Sequence, residues 1–430
     1  MAGAPHGLTD PYPVQPILHP LRAAVRVPGS KSLTNRALLL AALADGVTTL
    51  SNALESDDSQ RLVECLERLG FAVIAVPGSL TVRGLGGRLP APRAELYVGN
   101  AGTAARFLTA MLTLGHGEYV VDGDARMRER PIADLLDALR QLGVDAESAN
   151  GCPPVRVRAA GLRGGRAVVA GEISSQFLSG LLMAAPCAQA PVTLEVAGGL
   201  NSKPYVDMTV AVMAEFGVAV EREGYACFQV RPQAYQAQVN YVIESDASAA
   251  SYFFAAPAVC GGAVRVLGLS RQSKQGDLAF LEVLARMGCT VTTGADWIEV
   301  AAGAGPLAGV DVDLRDLPDT AQTLAALAPF AASPTTIRGI ASARVKETDR
   351  VAALCAELTR LGVSVEEHAD GLTIQPAAAI RPAVVQTYHD HRMAMAFALI
   401  GLRAPGVQIA DPGCVSKTFP HYFQVLEQLR

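Results

Sequence analysis

Lysine is scarce in this chain: of 36 basic residues only Lys31, Lys203, Lys274, Lys346 and Lys417 are lysines, and the rest are arginines. An excess of positive charge is missing too. The net charge of −5 excludes the broad basic face that nucleic-acid binding requires, although not a local cationic pocket. Between Met1 and Pro20 no basic segment is followed by an apolar one, so no signal peptide is read there. No apolar run reaches the ~20 residues of a membrane span; Ala394–Leu402 is too short and reads as a core helix. The eight cysteines, Cys65, Cys152, Cys187, Cys227, Cys260, Cys289, Cys355 and Cys414, form no C-x-x-C pair. That scatter speaks against a disulfide framework or a zinc site. Buried thiols in a reducing cytoplasm are the expectation.

What is present is apolar bulk and repetition. Half of the 430 residues are hydrophobic, enough for two or three domains with sizeable cores. Gly70, Gly143, Gly217, Gly288 and Gly362 each close a helix-like stretch, at separations of 73, 74, 71 and 74 residues. Glycine at that place is the usual left-handed stop after a helix. A sixth such helix runs through Val425–Leu429. Before each stop lies a short β-rich segment: Thr48–Leu50, Tyr119–Val121, Val192–Leu194, Val264–Val266, Thr335–Ile337 and Val407–Ile409. Upstream of each is another helix, rich in small apolar residues. These helices open at Ser30-Lys31-Ser32, Asn100-Ala101-Gly102-Thr103, Ser174-Ser175-Gln176, Asp246-Ala247-Ser248, Asp319-Thr320-Ala321 and Asp390-His391-Arg392. Ser, Thr, Asp and Asn are the expected N-caps. Six α/β units follow, too long for a common solenoid. Each is a small mixed subdomain, with three per half and a join near Tyr241–Ile243.

The lysines lie in polar turns before helices, at corresponding places of different repeats; in the second repeat Arg126, Arg128 and Arg130 fill that place. If the repeats share a fold, two facing halves line one cleft with cations and helix N-termini, which favour phosphate and carboxylate. A single such lysine would be an ordinary solvated turn residue; five in register point to a small polyanionic ligand. Among these cations stands Glu347, while Asp319 opens a helix. Alone, Asp319 reads as an N-cap and Glu347 as an ion-pair member. Near bound anions the pair could abstract and donate protons.

Seven motifs then resemble signatures of the 5-enolpyruvylshikimate-3-phosphate synthase family. They are Pro28-Gly29-Ser30-Lys31-Ser32-Leu33-Thr34-Asn35-Arg36, Gly99-Asn100-Ala101-Gly102-Thr103-Ala104, Arg128-Glu129-Arg130-Pro131-Ile132 and Ser174-Ser175-Gln176-Phe177. Further along come Arg344-Val345-Lys346-Glu347-Thr348-Asp349-Arg350, Asp390-His391-Arg392-Met393-Ala394 and Lys417-Thr418-Phe419-Pro420. The resemblance implies an α/β fold, the two-domain inverted α/β barrel of enolpyruvyl transferases. Its six repeated β/α units would lie three per domain. The first domain would span 25–242 and the second 1–24 with 243–430, with the active site in the cleft between them. It also implies transfer of the enolpyruvyl group of phosphoenolpyruvate to the 5-hydroxyl of shikimate 3-phosphate, in aromatic amino acid biosynthesis.

The family's roles carry over by position. Lys31, Ser32 and Arg36 would hold the substrates at the first helix N-terminus. Ser174, Ser175, Gln176, Ser202, Tyr205, Asp319, Ser342 and Lys346 would bind shikimate 3-phosphate. Asn100, Gly102, Arg130, Gln176, Arg350, His391, Arg392 and Lys417 would face phosphoenolpyruvate, together with Lys31. Asp319 matches the proton acceptor and Glu347 the proton donor, with Lys31 assisting. No metal or cofactor is expected, because Lys and Arg neutralise the anions. The expected partners are the two small substrates, with no nucleic acid and no membrane, and the chain would act as a cytoplasmic monomer.

Two departures stand out. The family's Met-Arg-Pro is here Ala105-Arg106-Phe107, so Phe107→Pro is expected to bind the analogue glyphosate more tightly than the native chain; Gly102 keeps room for that inhibitor. Ser342 stands where many members carry Asn. The related transferase acting on UDP-N-acetylglucosamine carries a cysteine-bearing loop in its first domain, and Asp122–Pro131 has no cysteine. A non-catalytic cleft that binds partners would not need both acids. The Pro and Gly content of Met1–Tyr12 predicts an unordered extension.

Overall fold

Helices with little polar surface belong inside a protein, and each repeat opens on one. In the computed structural model, which describes residues 8–430, every repeat has an inner helix followed by an outer one. In the first three repeats these are α1 (Lys31–Leu43) and α2 (Asp57–Arg68), α3 (Gly102–Met111) and α4 (Ala133–Gln141), and α5 (Ser175–Ala184) and α6 (Lys203–Glu215). In the last three they are α7 (Ala247–Cys260) and α8 (Phe280–Arg286), α9 (Ala321–Leu327) and α10 (Arg350–Arg360), and α11 (His391–Gly401) and α12 (Tyr422–Glu427). Every residue of α3 and of α11 is buried. Close approach depends on small residues: a Cβ on Gly180 of α5 would lie 3.2 Å from the Arg106 carbonyl oxygen of α3. The outer helices bury one face and stop where expected, for example at Gly217 with φ 83°.

The strands follow one plan. In the second repeat Arg93–Tyr97 runs parallel to His116–Asp122, which pairs antiparallel with Val155–Ala160, itself antiparallel to Asp145–Ser148. Four-stranded sheets of the same order surround Asp45–Ser51, Val192–Ala197, Gly262–Leu267 and Thr335–Arg338, so five of the six β-rich segments are inner strands. The sixth, Val407–Ile409, is the middle of a three-stranded sheet between Ala383–Val385 and Tyr12–Pro13.

The chain divides into two compact units, Gly29–Ile243, and the described residues up to Pro28 with Glu244–Arg430. Each has its own apolar core. Strand pairing moves the expected crossings. Leu21–Arg26 pairs in parallel along its whole length with Gly262–Leu267, so the first crossing falls after Pro28 rather than at Ala24. Tyr241–Val242 pairs with Leu50–Ser51, and Ile243 N donates to Ser51 O at 2.9 Å, which carries the second crossing past Ile243.

The N-terminal expectation also needs correction. For residues 1–7 it lies outside the described residues. Beyond them Asp10 Oδ1 accepts from Asp411 N at 2.9 Å, and Tyr12 pairs with Ile409 and donates its hydroxyl to Glu427 at 2.7 Å. Long-range partners order this stretch despite its composition.

Candidate active site

In the unit Gly29–Ile243 the site residues sit at helix N-termini joined by one buried arginine. Ser30 caps α1. Further along α1, the Arg36 guanidinium donates to Thr209 Oγ1 at 2.7 Å, to the carbonyl oxygens of Ser32 and Tyr205 at 3.0 Å each, and to Ser179 Oγ at 3.5 Å. It thereby ties α1 to α5 and α6, and fixes the backbone at Ser32 and Tyr205. Among the described residues none of these partners is a carboxylate, and burial pushes Arg36 down to about 10. A buried cation without an acid favours a nearby anion. Phe107, the departure from the family pattern, lies wholly buried with its ring 5.2 Å from this guanidinium, a cation–π contact.

Ser174 caps α5, and Gln176 of α5 donates to Thr103 of α3 at 3.3 Å. At the start of α3, Arg130 donates to the carbonyl oxygen and the side-chain oxygen of Asn100 at 3.1 and 2.8 Å. Gly102 is what admits it: a Cβ there would lie 2.4 Å from Arg130 Nη2. Sequence reasoning missed Arg106, which donates to Pro131 O at 2.7 Å and to Gly102 O at 3.3 Å, clamping the Arg130 loop onto α3. Ser202 stands in the left-handed region at φ 57° before α6 and makes no capping bond. Ser175 is buried at the first position of α5. Lys31 lies 3.5 Å from Asp58, and Lys203 lies over the Tyr225 ring at 5.4 Å. Arg126 and Arg128 pair with Glu129 and Asp122, and Arg130 reaches the start of α3.

The other unit holds a cluster of opposite charges. Arg350, 1 % exposed, donates through Nε to Asp390 at 2.7 Å, through Nη2 to Glu347 at 2.8 Å and through Nη1 to Asp319 at 3.1 Å. Burial works against its charge, yet Asp390, Glu347 and Asp319 together hold its pKa well above the ordinary arginine value. Arg392 Nη2 takes the second Asp319 oxygen at 2.7 Å, and Lys417 Nζ lies 3.8 Å from Glu347. Asp319 is therefore no N-cap: Thr320 occupies that place before α9. Asp390 does cap α11, accepting from Arg392 N at 2.9 Å, and its role as a partner of Arg350 was not read from the sequence. His391 is fully buried, with Nδ1 3.4 Å from Asp390. Ser342 is buried in the turn before Lys346, which terminates it. Lys274 pairs with Glu244 at 3.2 Å.

Behind Asp319 lies a further acid. Asp277 is buried, bonded to Ser248, and pushed up to about 6 by burial first and by Asp319 second. An acid with a raised folded pKa binds its proton more tightly in the fold. Stability therefore falls as pH rises from about 4 to about 6, by roughly 3 kcal/mol in all. Asp277→Asn is expected to raise the melting temperature, with a gain at about pH 5 only about half that at about pH 7.5. Thermal unfolding at both values checks this, and an equal gain at both would refute it.

The sequence model described as EPSP synthase (3-phosphoshikimate 1-carboxyvinyltransferase) matches residues 16–426. The chain belongs to the EPSP synthase family. Among curated relatives it is 51 % identical to the 3-phosphoshikimate 1-carboxyvinyltransferase of a Nostoc species (strain PCC 7120), over 96 % of this chain and 98 % of that one. It is 48 % identical to the enzyme of the same name from a Marinomonas species, over 94 % and 96 % of the two chains. A solved EPSP synthase from Acinetobacter baumannii superposes with a TM-score of 0.81 at 25 % identity, covering 98 % of each chain. The fold is the two-domain inverted α/β barrel of six β/α units.

Proposed function

We infer that this chain transfers the enolpyruvyl group of phosphoenolpyruvate to the 5-hydroxyl of shikimate 3-phosphate, releasing phosphate. The observation that carries the chemistry is the pair Asp319 and Glu347 on one buried arginine, Arg350. Asp319 takes the 5-hydroxyl proton while Glu347, with Lys31 assisting, protonates the methylene of phosphoenolpyruvate. The hydroxyl oxygen attacks the resulting cationic carbon and gives a tetrahedral phospho-ketal. Phosphate then leaves with the proton held by Asp319 while a methyl proton returns to Glu347, which restores the enol ether and both acids, so atoms and charges balance.

The helix N-termini and the Arg36 network support shikimate 3-phosphate on Ser32, Ser174, Ser175, Gln176, Ser202 and Tyr205, with Lys346 and Ser342 from the second residue set. Arg130 and Asn100, with Arg350, Arg392 and Lys417, are suited to the carboxylate and phosphate of phosphoenolpyruvate. Both residue sets serve one reaction, in a cytoplasmic monomer. Among the described residues no helix is long and apolar enough to cross a membrane.

Phosphate release from phosphoenolpyruvate tests this reading, with and without shikimate 3-phosphate and with UDP-N-acetylglucosamine as control. Release dependent on shikimate 3-phosphate is expected; none with either acceptor, from folded protein, would leave only an anion-binding protein.

A further inference from the structure

Just before α11 two adjacent residues that are not glycine stand in the left-handed region: Tyr388 and His389, each with φ 55°. Asp390 N donates to Thr387 O at 2.9 Å, so Thr387–Asp390 close a turn with positive φ at both central positions. Such turns ordinarily hold Asn, Asp or Gly, because a larger side chain crowds the backbone there. A tyrosine in that place is strained and persists only where its surroundings fix it.

The surroundings do so through one acid. Tyr388 donates its hydroxyl to Glu357 Oε1 at 2.8 Å, and Gln386 N donates to Glu357 Oε2 at 2.9 Å. Glu357 is 0 % exposed and is itself held by Arg360 Nε at 2.9 Å. Tyr388 is 40 % exposed, so packing alone does not pin it. Its hydroxyl is pushed up to about 12, by desolvation first and by Glu357 next, and keeps its proton at working pH. His389 Nδ1 meets Asp411 Oδ2 at 2.7 Å on the other side.

The turn ends on Asp390, whose carboxylate takes Arg350 Nε and caps α11 at Arg392. A shift of this turn therefore moves both arginines. We propose that Glu357 and Tyr388 are positioning residues for the transfer reaction, holding a strained turn that sets Asp390 and, through it, Arg350 and Arg392. The inference rests on the functional reading above, in which those arginines hold phosphoenolpyruvate.

Steady-state phosphate release, with each substrate varied in turn, tests it on the full chain. Tyr388→Phe keeps the ring and removes the tether. Its KM for phosphoenolpyruvate is expected to rise about tenfold, the effect of losing one hydrogen bond to a charged acceptor, with KM for shikimate 3-phosphate within about twofold. Tyr388→Asn combined with His389→Gly supplies residues that adopt the turn unaided, and should recover to within about threefold of wild type. If Tyr388→Phe does not fold, Glu357→Gln is measured in its place, with the same split expected. An unchanged KM, an equal rise for both substrates, or a double variant as impaired as the single one would overturn the inference. Folded wild type without release dependent on shikimate 3-phosphate would sink the functional reading, and this inference with it. An active wild type matched by Tyr388→Phe sinks the inference alone.

Discussion

Asp319→Asn is expected to lower kcat by about 10³-fold, within the range that a positioned general base contributes. The carboxylate is aimed rather than buried. Its two oxygens accept from two different arginines, at 3.1 Å from Arg350 and 2.7 Å from Arg392, while 17 % of the side chain stays exposed. Because Thr320 occupies the capping position of α9, no helix claims the carboxylate. The paired guanidinium groups stabilise its charge and fix its orientation, as the proposed role of proton acceptor requires. Asparagine keeps the shape but turns an amide donor toward one arginine, which costs about 1–3 kcal/mol of stability. The comparison is therefore made on protein shown to be folded by thermal unfolding, well below its transition. KM for shikimate 3-phosphate should change less than about tenfold, since most of the side chains assigned to that substrate lie in the other unit. A folded Asp319→Asn with kcat within about tenfold of wild type would remove Asp319 as the proton acceptor.

The repeat was legible because its signals are local. A glycine stop such as Gly217, followed by a change of direction, needs no knowledge of the rest of the chain. The inner strands were legible for the same reason, as short β-rich runs between two helices. Of the six polar helix openings, Ser30, Ser174, Asp246 and Asp390 do cap their helices. Asn100 and Asp319 do not. Both are bound by arginines from elsewhere in the chain, Arg130 in one case and Arg350 with Arg392 in the other. A capping preference is worth about 1 kcal/mol, and charge-assisted hydrogen bonds from a covered guanidinium outweigh it. Capping and catalysis use the same residue types, so the sequence could not separate them at Asp319. At Asp390 it saw the cap and missed the ion pair to Arg350, forty residues away. Arg36 shows the same limit: its partner Thr209 lies 173 residues along the chain. Of the N-terminal segment, the end at Tyr12 was misread because Pro and Gly content describes local preference, whereas Tyr12 is held by Ile409 and Glu427.

Glu347→Gln is expected to lower kcat by about 10²–10⁴-fold while the KM values change less than about tenfold, the pattern of a proton donor rather than a binding group. The carboxyl is buried between two cations, with Oε2 2.8 Å from Arg350 and Oε1 3.8 Å from Lys417. Opposite charges on both sides favour the carboxylate, yet a donor must carry a proton. Substrate resolves the conflict. When the anionic groups of phosphoenolpyruvate engage Arg350 and Lys417, the cations are neutralised and the bias toward the carboxylate falls. To act as the proposed donor, Glu347 must then hold the proton that the methylene carbon needs. On this account the acid is armed only in the substrate complex, and the protein takes up a proton as phosphoenolpyruvate and shikimate 3-phosphate bind. Glutamine preserves the hydrogen bond from Arg350 but can neither take up nor give that proton. Calorimetry in two buffers of different ionisation enthalpy would show proton uptake by wild type and none by Glu347→Gln. Full turnover in Glu347→Gln would mean that Lys31 or another group supplies the proton. Lost turnover with wild-type proton uptake would mean that Glu347 acts by orienting Arg350.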